Sequence, residues 1–288
     1  MLGPMVTFVL LANPAGPVAT DGNGPLEATS LLGRKLYALR DSDGSIRAAG
    51  VLLAADLRNA TLRLKLARAQ AGKRQYREAI ATCADGIRYA PQNADLYLEK
   101  GHRELGVREF KAGLADLNEA VRLDPKNLDA QYHLGMAHYF LRDFKEAAAH
   151  FERALNLAQS ADSVIDCSNW LFISLQRAGN PARASEVLAR IGPSVKNTEP
   201  HLLFYLRLLH FYQGKLSEQE LLPPQPAGPS DVEGELSFNT VNYGVGNWRL
   251  YHGDREAAKR FFRRVVAGYA WNSWGFVGSE LELSANFK

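Results

Sequence analysis

Apolar positions in this chain follow the 3.6-residue period of amphipathic helices, and they do so in phase from one block to the next. In the stretch YHLGMAHYFLRDFKEAAAHFERAL, Tyr132 to Leu155, the pair Leu134-Gly135 stands a dozen residues before Ala147, and Phe151 and Ala154 follow at helical spacing. Glycine costs roughly 1 kcal/mol against alanine inside a helix, so Gly135 implies that something presses close against it. The same arrangement recurs. Small residues fall at Ala67, Gly101 and Gly135, aromatics at Tyr76, Phe110 and Phe144, and small residues again at Ala79, Gly113 and Ala147. Cys83, Leu117 and Phe151 come next, then Gly86, Ala120 and Ala154, so three units run without gaps over 60–93, 94–127 and 128–161.

Such spacing predicts pairs of antiparallel helices. Helix A of each unit carries its small residue where helix B crosses, and helix B offers Ala or Gly in return. Each helix alone is marginal in water, and stacking successive pairs buries a continuous apolar seam. Pro91 and Pro125 stop helix B, and the Asn-Ala-Asp and Asn-Leu-Asp segments that follow can cap the next helix A.

These residues resemble the tetratricopeptide repeat, a 34-residue unit with W-x2-L-G-x2-Y in helix A, then A-x3-F and P. Leu134, Gly135, Ala147 and Phe151 match it in one unit, and Tyr97, Gly101, Phe110, Leu117 and Pro125 in another. Gln131 stands where the family prefers Trp, and Gln159 where it prefers Pro. In register, 26–59 reads as a degenerate unit with Leu32-Gly33 on helix A, Ala49 and Leu52 on helix B, and Leu57 in the proline slot. After an insertion of about three residues a fourth clear unit covers 165–198, with a turn at Gly179-Asn180. A fifth, 200–222, has His201 to Tyr212 as helix A and a helix B cut short by Pro223, Pro224, Pro226 and Pro229. A sixth spans 237–270, and 272–286, repeating the motif at Trp274, Val277, Gly278 and Leu281, reads as a capping helix started by Asn272 or Ser273. The expected fold is all-α: one superhelical solenoid over 26–286, of six to seven stacked hairpins.

The resemblance implies a non-catalytic scaffold that holds a protein or peptide partner in a concave groove lined by the helices A. Register places Arg68, His102, Tyr132, Met136, Tyr139 and Phe140 in that lining, followed by Asn169, Ile173 and Arg177. Phe204, Leu208, Phe211 and Tyr212 come next, then Tyr243, Asn247 and Tyr251. Tyr and Phe offer large contact area at low entropy cost, and Asn169 and Asn247 suit a peptide backbone. The Lys, Arg and Asn clamp by which many family members hold chaperone C-termini is absent, since Leu64, Leu98, Glu99 and Tyr132 occupy its places. Two other readings stand beside this one. An enzyme using the groove as a small-molecule pocket would rely on Arg68, Glu99 and His102, and a structural protein would self-associate as a homo-oligomer.

Composition adds exclusions. A formal net charge of +3 over 288 residues is too weak to argue for nucleic acid or an anionic membrane. Cys83 and Cys167 form no CxxC and read as small core residues. His133, His138 and His150 lack a metal-ligand pattern, and no cofactor motif is found. Asp231, Glu233 and Glu235 read as charge bias at a helix start, and Lys259, Arg260, Arg263 and Arg264 as a solvated basic face. Residues 1–25 read as an extended leader. Its apolar run Met5–Ala12 is too short for a membrane span, and no basic residue precedes Arg34, so the compartment, cytoplasmic or exported, stays open.

Overall fold

The computed structural model describes residues 24–192, 195–196, 202–228 and 230–287. Most of the leader, residues 1–23, lies outside the described residues, as do Pro200, His201 and Pro229. The clear repeats form the expected hairpins: α2 (Ala60–Gly72) with α3 (Tyr76–Tyr89), α4 (Ala94–Gly106) with α5 (Phe110–Leu123), and α6 (Leu128–Phe140) with α7 (Phe144–Leu157). The fourth is α8 (Ala161–Arg177) with α9 (Pro181–Ala189), a helix A that starts one turn earlier than its register suggested because Ser160 caps it. Asn59, Asn93 and Asn127, 34 residues apart in sequence, each accept a hydrogen bond at a helix A N-terminus, from the amides of Leu62, Leu96 and Ala130 at 3.1, 3.2 and 3.0 Å.

The crossings explain the glycines. A Cβ on Gly135 would lie 3.0 Å from the Phe151 ring. One on Gly101 would meet Leu117 at 2.7 Å and the Gly113 carbonyl at 3.0 Å, and Gly113 is crowded in turn by Leu105. Gln131, in the tryptophan slot, donates to the Pro125 carbonyl at 3.1 Å and meets His150 Nδ1 at 2.9 Å, so a polar clasp replaces an indole there.

The first unit departs from expectation. Residues 26–59 hold an antiparallel hairpin, β1 (Leu26–Thr29) and β2 (Lys35–Tyr37), followed by a single helix, α1 (Ser45–Ala54). Leu32-Gly33, read as part of a helix A, is the tip of the hairpin. Gly33 takes φ 85°, and Ser30 Oγ accepts from the amides of Leu32 and Arg34. β1 does not alternate strictly: Glu27 and Ala28 are both buried between exposed Leu26 and Thr29, and the register with β2 shifts between Leu26 and Ala28.

In the fifth unit, α10 (Leu203–Tyr212) is followed only by the four-residue α11 (Glu218–Leu221) before the prolines. The outer helix that would separate its neighbours is therefore missing. The next helix, α12 (Val232–Tyr251), packs on α10 and also reaches α8, and α13 (Arg255–Val266) and α14 (Trp274–Asn286) follow it. The chain then closes on itself. Trp271 Nε1 donates to the Tyr37 carbonyl at 3.1 Å, Arg34 donates to the Gly268 carbonyl at 2.6 Å, and the Tyr76 and Trp271 rings meet edge to face at 5.4 Å. Val265, Trp271 and Phe276 share one core with Ala28, Leu36, Tyr76 and Leu96, while a second core runs through the remaining repeats.

Two alanine substitutions should move stability in opposite directions. Gly101→Ala should destabilise by about 1–3 kcal/mol, because the overpacked crossing outweighs the gain in helix propensity. Gly50→Ala, mid-α1 with nothing within 4 Å of its added Cβ, should stabilise by about 0.5–1 kcal/mol. Urea unfolding followed by circular dichroism reads both.

Candidate functional site

Six turns that end a helix A have one geometry. In each, the amide of the second residue past the cap bonds back to the carbonyl five residues earlier, and the residue before it bonds across three, as a Schellman turn requires. The left-handed residue of the turn is glycine in three of them, at Gly179, Gly214 and Gly253. In the first three it is arginine: Arg74, Arg108 and Arg142, at φ 56°, 69° and 66°. A side chain in this conformation costs roughly 1–2 kcal/mol, so these arginines need a return elsewhere.

The return comes from the C-terminal segment. Arg74 donates to the Tyr269 carbonyl at 3.4 Å. Arg108 pairs with Glu280 at 2.9 Å, donates to the Trp271 carbonyl at 3.0 Å, and lies over the Trp271 and Phe276 rings. Arg142 stands 3.5 Å from Glu282, and Arg177, from the end of α8, grips the same carboxylate through two nitrogens at 2.6 and 3.2 Å. Arg108 and Glu280 are both almost wholly buried, as are Arg177 and Glu282. Trp274 completes the contact, with its ring 5.1 Å from His102, 6.1 Å from His133 and 5.6 Å from Phe140.

The sequence-predicted lining is therefore brought together, but not as an open trough. Tyr132, Met136, Tyr139, Phe140, Asn169, Ile173, Leu208, Tyr212, Tyr243 and Asn247 are buried. His102, Phe204, Phe211 and Tyr251 are partly covered, the Arg177 side chain is almost wholly buried, and Arg68 keeps the most open side chain of the charged lining residues, at 39%. Register told which side of each helix A faces inward. It did not tell that α12 and α14 would fold into that space. Tyr243 Oη donates to Tyr139 Oη at 2.9 Å, and Trp170 lies 5.9 Å from the Tyr243 ring, so two predicted lining residues face each other across the seam. α14 meets α12 through Gly275 and Gly278, where added Cβ atoms would strike the Asn239 carbonyl and the Tyr243 ring.

Burial shapes the titrations here. It depresses His102, and holds His133 down to about 4 although His133 Nδ1 lies 2.8 Å from the Asp129 carbonyl. Burial raises Asp129 to about 6 and Asp166 to about 7, and Asp166 accepts from Tyr132 Oη at 3.0 Å. Glu99 is held below the usual carboxylate range against its burial by Arg103 and Arg68, whose Nε atoms lie 2.7 and 3.3 Å away. Arg68 and Glu99 thus pair while His102 turns toward His133 and Trp274, and the three do not converge on a common point. Hollows of about 150 and 350 Å3 lie beside α12 and α13, lined in part by Arg264, and none of those three residues lines either. Among the described residues no group of three or more His, Cys, Asp or Glu side chains is placed to hold a metal ion, and no helix is long and apolar enough to cross a membrane. Cys83 and Cys167 are buried free thiols. Asp231 caps α12, while Glu235 is buried and accepts from the Tyr269 amide at 2.7 Å. Sequence reasoning missed the arginine turns, although Arg74, Arg108 and Arg142 carry the 34-residue period in plain view.

Stacked antiparallel hairpins with an inward row of helices A define an α-solenoid. Residues 98–163 match the family model of the tetratricopeptide repeat. The units in phase on either side, α2 with α3 and α8 with α9, carry the same hairpin, so the matched stretch is a tetratricopeptide-repeat segment within a longer array of helical hairpins. No curated protein matches it in sequence. Among solved structures, MamA is similar at 22% identity, over 50% of this chain and 83% of that one, with a TM-score of 0.45. A tetratricopeptide repeat protein from Parabacteroides merdae is similar at 15% identity, over 84% and 91%, with a TM-score of 0.49. YrrB, described as a TPR protein with an unusual peptide-binding site, is similar at 19% identity, over 64% and 91%, with a TM-score of 0.37. At these scores the likenesses carry nothing about function.

Arg108→Ala should cost about 3–5 kcal/mol, because it strands the Glu280 carboxylate in the interior, and the double substitution Arg108→Met with Glu280→Leu should recover most of that loss. Denaturant titration of the full cycle measures both. Asp166 gives a pH-dependent test. Its folded pKa lies above the unfolded value, so the burial cost is complete above about pH 7 and is relieved as pH falls toward the unfolded value. Asp166→Asn should therefore stabilise at pH 8 by on the order of 2–4 kcal/mol and have little effect near pH 4, as read by thermal unfolding at the two pH values.

Proposed function

We propose that this protein is a non-catalytic scaffold that binds a segment of a partner protein along the inward wall of its solenoid. The observation that carries the reading is that this wall already grips a helix: α14 lies against His102, His133 and Phe140 through Trp274, and its carboxylates meet Arg108, Arg142 and Arg177. A wall that holds one helix by an aromatic anchor and charge-assisted hydrogen bonds has the chemistry of a helix-in-groove receptor. The enzyme reading has less support, because Arg68, Glu99 and His102 share no cavity. Photo-cross-linking tests the scaffold. A benzophenone amino acid placed at Arg68 or Phe204, on the exposed part of the wall, should cross-link a host protein. The same group at Arg153, on the outer face of α7, should not. Cross-links from position 153 alone would overturn the assignment.

A further inference from the structure

Resting on that reading, we propose that α14 is a cis-acting occupant of the wall and that the partner presents a helix of the same chemistry: an aromatic anchor followed about two turns later by a pair of acidic residues. The first support is charge complementarity. Four arginines spaced along the repeats, Arg74, Arg108, Arg142 and Arg177, face one C-terminal segment, and its two buried carboxylates, Glu280 and Glu282, are the groups three of them take. Arginine is the side chain suited to forked recognition of carboxylates, as its grip on Glu282 illustrates.

The second support is strain. Three of the six turns place arginine where the other three place glycine, and all three left-handed arginines, Arg74, Arg108 and Arg142, reach the C-terminal segment. A turn needing only stability would take glycine. Retaining the arginine favours a recognition role over a purely architectural one.

The third support is incomplete satisfaction at the seam. Ser279 Oγ and Glu280 Oε1 on α14, with Asn239 Oδ1 and Asn242 Oδ1 on α12, are buried without a protein hydrogen-bond partner. Permanent cores pair nearly all such atoms, and each unpaired one weakens the seam that holds it. The crossings at Gly101 and Gly135 are closed by Gly, Leu and Phe contacts, although Glu104 Oε2, Asn169 Oδ1 and Ser174 Oγ within the repeats are likewise buried without a partner. The seam that holds α14 carries four such atoms between α12 and α14, and an intramolecular occupant competes at an effective concentration in the millimolar range for a short tether. A partner helix must outcompete it.

The test uses the full chain and a fluorescein-labelled peptide of residues 269–287. Hydrogen exchange on the unaltered chain should show α14 amides exchanging at least tenfold faster than those of α6. The peptide should bind a full-length Glu280→Gln, Glu282→Gln variant at least tenfold tighter than it binds the parent chain, whose wall is occupied. A peptide carrying Glu280→Lys and Glu282→Lys should not bind. Three outcomes would overturn the proposal: exchange of α14 only together with α6, failure of the peptide to bind a variant whose α6 stays protected, or a variant that dimerises by trading α14 between copies. Cross-links from positions 68 and 204 report the scaffold role separately. Should they persist while the peptide fails, only the acidic and aromatic occupant is removed.

Discussion

The fold depends on close approach of two helices at one crossing per repeat. Gly101 lies against Gly113 and Leu117, and Gly135 lies against the Phe151 ring, at distances that leave no room for a further carbon. Helices held this near present neighbouring hairpins with a matching apolar face, and that face is where each short helix finds the burial it cannot provide alone. The asparagine caps fix where each helix A begins, so the crossing recurs at the same height and the inward side chains of successive units align. A solenoid so built has two unfinished surfaces, its ends and its inner wall. Here the β-hairpin and α1 lie at the first end, and α12 and α14 cover much of the wall.

What covers the wall is held differently from what builds it. Between repeats the contacts are apolar and small. Between wall and α14 they are an indole ring, two carboxylates and several guanidinium groups, drawn into the interior as pairs. Buried ion pairs rarely add net stability over apolar residues of the same shape, yet they penalise any misplacement of one partner severely. The arrangement therefore selects one register for α14 against the arginine row, with Glu280 at Arg108 and Glu282 between Arg142 and Arg177.

Much of this was legible in the sequence, for a physical reason. Gly135, the caps at Asn93 and Asn127, the prolines that truncate the fifth hairpin and the start of α14 near Ser273 are local effects, and local effects leave marks at fixed offsets. The inward direction of Tyr139, Tyr212 and Tyr243 was legible for the same reason, because helical period decides it. Their burial was not legible, since it depends on α12 and α14 returning to the wall, over a hundred residues along the chain in the case of Tyr139 and Tyr243. The strands over 26–37 were hidden by coincidence: Leu32-Gly33 falls in phase with the later helices A, while Ser30 and Gly33 serve a turn. Within the candidate site register named Arg177 and the aromatics of the inward row, and missed Arg74, Arg108 and Arg142 and the Trp274 ring that meets the wall. A positively charged residue at a helix end reads as solvated until its partner is known.

The contact between Trp271 and Tyr37 joins the two extremities of the array. An open stack of repeats behaves as a one-dimensional chain that can unravel from either extremity, each unit contributing its own stability and that of its nearest interface. Joining first unit to last removes both free extremities. Detaching the β-hairpin then breaks the same core that holds Val265 and Phe276, so loss of one terminus is felt at the other and melting becomes a collective event of the closed loop.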